Sequence, residues 1–497
     1  MNLITDPWIP VIGTDGQNKL LGLAELFKQL KEIRDLDVKP HERIALMRFL
    51  ICIVQATIQP ADPQEWEQCK DQIPSRVVTY LEQWKPNPFF ELLGEGGQFN
   101  FLQVPNLARN ADEGINNVSI TKLDMMLASG NNATLFDNAA AVKRTLESSH
   151  IALSLLTYQN FSPGGLIGVV NWNNAATPGN GTSEHAPCTS KVHCFIKGDN
   201  LLDTLHWNIL TGERIGDNYG WDDDENPKWG KPLWEEPVQS LENQSAKENA
   251  TMTYLGRLVP VSRCVRLCFN DDRECDGIIL ANGLTYPSYP EFREPTVTII
   301  RVKDDNIELS ASLEKGLWRQ LSSISIKYYK RVGNGLSGPI VLNNLPENQP
   351  CKLWSGALVT DKAKIRDTLE SIYDVPAKMF KDEGRQVYEE GIHYAETWAA
   401  KLSDAIKEFI HQLNRDKKQT PRPKALSFFW GNLEQHVSLL LQLVDEKQTS
   451  AWGETPWGKK VKATAFKAYE NVCPQQTVRE IQAYALGLKK FYENEEE

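Results

Sequence analysis

The stretch KLSDAIKEFIHQLNRDKKQTPRP, Lys401 to Pro423, decides the architecture. Leu402, Ala405, Ile406, Phe409 and Leu413 recur at three- and four-residue spacing, which places them on one face of a helix. The run then stops at DKKQTPRP, where two prolines punctuate it. The same texture continues on both sides. Helices are read over 380–414, 423–446, 456–472 and 475–492, separated by DKKQTPRP, DEKQTSAWGETP and Cys473-Pro474. Four amphipathic helices with short connections imply an up-down bundle.

Before about residue 366 the texture is mixed. WIPVIGTDGQNKLLGLAELF reads as a strand, a turn at Asp15-Gly16, a second short strand and a helix. His41 to Ile58 carries apolar residues at helical spacing, including Ile44, Phe49, Leu50 and Ile53. FFELLGEGGQFNFLQV suggests a hairpin around Gly96-Gly97. KVHCFIK, residues 191–197, reads as a buried strand, and RLVPVSRCVRLCF and TVTIIRVKDDNIELS add strands. Residues 212–250, acidic, proline-bearing and tryptophan-rich, read as a long surface excursion. The expectation is an α+β chain: a mixed α/β domain over 1–365, then an all-α four-helix bundle over 366–497.

The 497 residues carry a net charge of −11. Residues 361–497 hold 21 basic and 22 acidic side chains, so nearly all of the excess sits in the first 360. An acidic chain is a poor free-standing nucleic-acid binder, but the balance leaves room for a subunit that touches nucleic acid locally. The nine cysteines are scattered without a framework spacing, so reduced cytosolic thiols are expected. No apolar run approaches membrane-span length and no signal peptide opens the chain. The chain reads as cytoplasmic, without a membrane partner.

His185, Cys188, His193 and Cys194 have the residue types of a zinc site. On a strand, however, His193 and Cys194 point to opposite faces, so no zinc is expected. Asp222 to Glu225, DDDE, invites an alternative reading as a metal-dependent nuclease, although such a run is usually a solvated loop. No nucleophile and base can be assembled elsewhere.

Two loops carry more. NFSPGGLIGVVNW, Asn160 to Trp172, contains Gly164, Gly165 and Gly168. It lacks the Gly-Lys-Ser/Thr ending of a phosphate loop and the dinucleotide fingerprint. It is either a turn or a bare backbone loop that something approaches closely. LASGNNATLFDNAA, Leu127 to Ala140, sets Leu135 and Phe136 in a polar loop. Phe136 is either a local core plug or a base-stacking ring with Asn138 beside it. SIKYYKRVGNG, from Ser325, interleaves Lys327, Lys330 and Arg331 with two tyrosines. Lys459, Lys460, Lys462 and Lys467 make a basic helix face.

NLITDPWIPV, GNNATLFDN, SPGGLIG, KGLWRQL (315–321) and SGALVTDKAKI (355–365) occur in that order ahead of the helices. Together they resemble the CasA family, the large subunits of the type I-E CRISPR surveillance complex Cascade. The resemblance covers nearly the whole chain. It implies a non-enzymatic subunit that inspects double-stranded DNA for the motif beside a target, largely from the minor groove. It also implies help in opening the duplex, contact with the guide-RNA 5′ handle and the small subunits, and recruitment of a nuclease-helicase. Gly164, Gly165 and Gly168 then match a DNA-contacting glycine loop. Asn131, Asn132, Phe136 and Asn138 match a loop at the guide handle or DNA. Thr360, Asp361 and Lys362 match a duplex-splitting hairpin. Lys362 stands where the family often presents glutamine, and Asp276 is the nearest match to a motif-reading lysine. Cysteine pairs that bind zinc in some members are missing from 139–149. The resemblance therefore implies no metal and no cofactor.

Overall fold

The computed structural model describes residues 1–493 except 95–96, 109–117, 130–133, 135, 140–141, 143, 166, 174, 178–184, 241, 271–273, 328–335, 362–363, 415–419 and 447–450. The chain divides into two compact units. One comprises Met1–Leu313, Lys327–Leu345 and Leu353–Ile372; the other comprises Glu314–Ile326, Pro346–Lys352 and Tyr373–Glu497.

The first unit is built around the helix Pro40–Thr57. Its residues are apolar almost all round, and nearly every one from Ile44 to Gln55 is buried, as expected of a helix enclosed on all sides. Pro40 opens it at a position where a missing N–H costs nothing, and the Glu42 carboxylate accepts the Lys39 N–H at 2.9 Å. The helix Ser148–Phe161, buried from Ile151 onward, packs against it. The strand–turn–strand–helix reading near the N-terminus holds: Ile9–Gly13 pairs antiparallel with Asn18–Leu21, Gly16 takes φ +81° at the turn, and the helix Leu23–Lys28 follows.

A second sheet pairs Arg263–Phe269 with Cys275–Asn282, and Val118–Ser119 joins its edge. A third has the order Lys364–Val375, Cys351–Asp361, His193–Lys197. His193 to Ile196 are buried, as read. The run beginning at Ala363 reads as helix-like from its sequence; from Lys364 it is instead the strand Lys364–Val375. Ile365, Leu369 and Ile372 fit a helical period, but Leu369, Ser371, Tyr373 and Val375 also fit a period of two. Pairing with Cys351–Asp361 decides between them. Gly96 of the expected hairpin lies outside the described residues.

Residues 212–250 are not a surface excursion. They hold the helices Gly212–Tyr219 and Gln244–Met252, and Leu233, Trp234 and Val238 are buried. Trp234 packs edge-on to Phe49 and beside Phe89 and Phe90. Its indole N–H donates to the Tyr80 hydroxyl at 2.6 Å, which meets the need of a buried indole for an acceptor.

This unit encloses a charge triad. Glu294 accepts from Arg48 Nη1 through one oxygen and from Arg257 Nε through the other, both at 2.6 Å. Arg48 and Arg257 are each 1% exposed and Glu294 is fully buried.

The second unit is helical. Its longest element, Asp382–Gln412, packs with Arg422–Glu434, Val437–Asp445, Pro456–Val472 and Val478–Leu488. The helix read over 423–446 is interrupted at Gln435-His436; no glycine or proline marks the break. Thr455 and Thr477 cap the last two helices through their hydroxyls, consistent with the punctuation in the sequence. Gly391 permits close packing: a Cβ there would stand 2.3 Å from Leu440 Cδ1. Its carbonyl accepts the Trp457 indole N–H at 2.9 Å. Trp318 sits between Trp430 and Trp457, and its carbonyl accepts the Tyr388 hydroxyl.

All nine cysteines are free thiols. Among the described residues no helix is long and apolar enough to cross a membrane.

Candidate nucleic-acid interface

The glycine loop leaves the end of the helix Ser148–Phe161 and runs to the short strand Asn171–Trp172. Both ends are tied. The Ser162 carbonyl accepts the Ala186 N–H at 3.0 Å, and the Val170 carbonyl accepts the Thr177 N–H at 2.8 Å. Buried Arg263 donates to the Pro163 carbonyl at 2.8 Å, and the Gly164 N–H donates to His185 Nδ1 at 3.1 Å. Gly168 is exposed. A Cβ built at Gly165 or Gly168 would meet no atom of the described residues within 4 Å. Gly165 has φ +140°, a backbone conformation that side chains rarely adopt; Gly168 does not share it. Among the described residues the space that a side chain would take at Gly165 and Gly168 is thus open.

This separates two experiments. A side chain at Gly165 strains the loop itself. At Gly168 it only fills the space in front. Gly168→Asp is expected to change stability by no more than about 0.5 kcal/mol. It should weaken duplex DNA binding about fivefold, since one charge about 4 Å from a phosphate is worth about 1 kcal/mol in water. Thermal melting and titration of a target duplex at fixed salt check the two halves. Unchanged binding would reduce the loop to a turn.

In the other loop Asn131 and Asn132 lie outside the described residues. Phe136 is 52% exposed and Asn138 is exposed, so the ring is not a core plug. What holds it out is Asp137. Its Oδ2 accepts from Arg144 Nη1 at 2.7 Å and from the Ala128 N–H at 2.9 Å. Its Oδ1 accepts from Arg144 Nη2 and the Ala139 N–H. These donors, the Arg144 guanidinium first, hold the Asp137 carboxyl at about 2. The Thr134 hydroxyl ties the turn to the Met126 carbonyl at 2.7 Å and accepts the N–H groups of Phe136 and Asp137. Because the ring is exposed, Phe136→Ala should shift stability by no more than about 0.5 kcal/mol. If the ring stacks on a base, the same change should cost about 1–3 kcal/mol of nucleic-acid affinity. Melting of the free subunit against binding in the assembled complex separates them.

The third stretch sits where two adjacent strands meet. Cys351–Asp361 ends at Asp361 and Lys364–Val375 follows, so Lys362-Ala363 makes the connection; Lys362 lies outside the described residues. The Thr360 hydroxyl is 2.5 Å from that of Ser190, whose backbone takes φ +62°.

The remaining motifs separate. Cys188 Sγ donates to Asn160 Oδ1, Cys194 Sγ meets the Ser355 hydroxyl, His193 Nδ1 meets Thr296 Oγ1 and His185 serves the glycine loop. The acidic run is a tight turn: Asp222 Oδ1 accepts the N–H groups of Asp224 and Asn226 at 3.0 and 2.7 Å. Among the described residues no three His, Cys, Asp or Glu side chains are grouped to hold a metal. Lys327 is buried and donates to the Leu345 carbonyl; Lys330 and Arg331 lie outside the described residues. On the basic helix face, Lys459 pairs with Glu454 and Lys462 lies 5.5 Å from the Trp398 ring centre.

Arg263, Arg144, Asp137 and Ser190 were not legible as site residues. Asp137 alone left a trace, since aspartate in a polar turn commonly accepts N–H groups two residues on.

The family model for CRISPR-associated protein Cse1 matches residues 2–468. The chain belongs to this family. The ordered stretches that resemble CasA are thus part of a family match along most of the chain. Among Cse1 relatives, CasA/Cse1 of Thermus thermophilus is 24% identical over 99% of this chain and 96% of its own length. Cse1 structures have the same fold. That of Thermobifida fusca superposes with a TM-score of 0.75 at 20% identity, covering 99% of this chain and 96% of its own. That of Acidimicrobium ferrooxidans gives 0.76 at 18%, covering 99% and 97%. A chain of a CRISPR RNA-guided surveillance complex gives 0.74 at 17%, covering 99% of each.

Proposed function

We propose that this chain is the large subunit of a CRISPR RNA-guided surveillance complex and that it does no bond chemistry itself. Its task is to recognise the motif beside a target in double-stranded DNA and to start opening the duplex. Guide pairing then reads the sequence. The observation that carries this reading is the glycine loop. Backbone held at both ends, with open space before Gly165 and Gly168, suits a minor groove about 6 Å wide, where side chains would block approach. Phe136 and Asn138 face the guide handle or DNA. Thr360, Asp361 and Lys362 form the wedge. The helical unit meets the small subunits, and a separate nuclease-helicase is recruited to the opened target.

The acidic turn does not favour a nuclease, because Asp222 spends one oxygen on two backbone N–H groups.

The wedge supplies the test. Separating a base step costs a few kcal/mol, and lysine can hold a phosphate or acceptor only as a donor. Lys362→Ala in the assembled complex should slow binding to a full duplex about tenfold, a change of about 1.4 kcal/mol. Binding to a target already unpaired beside the motif should be spared. Equal loss on both targets would mean general electrostatic contact, and no loss on either would place the wedge elsewhere.

A further inference from the structure

Beside the strand Arg263–Phe269 lies a cleft of about 490 Å³, within the range of small-ligand sites. Its lining includes Gln98, Asn100, Arg266, Phe269 and Ile279, and among the described residues no carboxylate lines it. It shares no residue with the three stretches invoked above. In a chain of net charge −11, a guanidinium on such a wall is notable. Arg266 gives one hydrogen to the Leu107 carbonyl at 3.1 Å and has no ion pair among the described residues. Most of its five donors remain for a ligand.

The other walls have complementary chemistry. Phe269 is 40% exposed, so ring surface is open to a partner. Asn100 is 3% exposed. It donates one amide hydrogen to the Pro88 carbonyl at 3.2 Å, and its Oδ1 has no hydrogen-bond donor among the described residues. Gly94 makes room for that amide, since a Cβ there would stand 2.1 Å from Asn100 Oδ1. Gln98 is exposed at the rim. A cation, an open aromatic ring and amides able to donate and accept are the groups that hold a phosphate, stack a base and bond its edge.

We infer that this cleft is a nucleotide site, with the phosphate on Arg266, the base against Phe269, and its edge toward Asn100 and Gln98. The site rests on the reading that this chain handles nucleic acid, but on none of the loops assigned to duplex or guide contact. The nucleotide is either a free monophosphate or one residue of a single strand.

The test uses the full chain and two probes, adenosine monophosphate and a fluorescent single-stranded ten-nucleotide oligonucleotide. Phe269→Ala should weaken binding of the accepted probe about 5- to 150-fold, the fold-change of losing one stacked base. Arg266→Gln should weaken it too and, for the oligonucleotide, lower the salt slope by about one. Losses confined to the monophosphate mark a free-nucleotide site; losses confined to the oligonucleotide mark a strand contact. Arg266→Gln also disturbs the Leu107 contact, so melting is measured alongside; Phe269→Ala, at an exposed position, carries the test if the arginine variant unfolds. Parent-like binding of both probes by a folded Phe269→Ala variant, or no binding by the parent, overturns the assignment. Gly168→Asp and Lys362→Ala should leave monophosphate binding unchanged, so failure of the duplex reading and failure of this one are distinguishable.

Discussion

Glu294→Ala is expected to destabilise the first unit by about 3–5 kcal/mol, the range for removing one partner of a buried ion pair. The carboxylate is fully buried and uses each oxygen on a different guanidinium. Its removal leaves two cations, each 1% exposed, with no carboxylate in direct ion pair with either among the described residues. Neither can move to water. Arg48 is also held by the Arg257 carbonyl at 2.7 Å, and Arg257 by the Thr251 and Pro287 carbonyls. Arg257 further lies 4.2 Å from the Phe292 ring centre. Glu294→Gln keeps the shape and an acceptor but not the charge, so its cost should be smaller than that of alanine. Urea unfolding followed by tryptophan fluorescence measures both. An alanine variant within about 1 kcal/mol of the parent would mean that water or rearrangement neutralises the two arginines.

The second large effect is a loss of stability on mild acidification. Burial pushes the imidazoles of His41 and His193 down to about 4 and about 3. For His41 the nearby charges are Glu42, Lys39 and Asp124; for His193 they include Arg48, Glu294 and Lys191. A histidine with a lowered folded value is neutral when folded and takes a proton when the chain unfolds. Its contribution is complete above the unfolded value, near 6.5, and is lost as pH falls toward the folded value. Each such group costs at most about 1.4 kcal/mol per pH unit in that window. His206 shifts in the same direction, again through burial. The depressed carboxyl groups of Asp124, at about 2, and Glu294 act only below about pH 4.5. Between pH 6.5 and 4.5 the buried histidines should therefore lower stability, opposed in part by Glu308 and Glu434, whose carboxyls burial pushes up. Urea midpoints at half-unit steps should fall through this range, and His41→Gln should flatten the fall. A midpoint flat to pH 5 would place water or an acceptor beside these rings.

Local pattern was enough for much of this molecule. The helix Pro456–Val472 has the bounds read from its own punctuation, and the buried strand His193–Lys197 was plain from its composition. Elements fixed by distant partners were not legible. Lys364–Val375 satisfies both periodicities, and only its neighbour strand selects one. Trp234 sits in a polar, acidic segment whose aromatic partners lie at Phe49, Phe89 and Phe90. The Arg48–Glu294 pair joins residues 246 positions apart, beyond the reach of any local signal. At the candidate interface, the exposed residues Phe136 and Gly168 were legible as types suited to contact. The residues that hold those loops, Asp137 and Arg263, were not, because their roles exist only once the chain has closed around them.

The two glycines of the loop obey different constraints, and variation among relatives should record the difference. At Gly165 the backbone itself, at φ +140°, excludes other residues, so the position should stay glycine even in relatives that have lost the partner. At Gly168 the chain imposes no such demand. Its freedom to vary is set from outside, by whatever fills the space before it. A lineage released from that partner should drift first at 168 and only later, if at all, at 165. The order of loss would date the end of an interaction without any binding measurement.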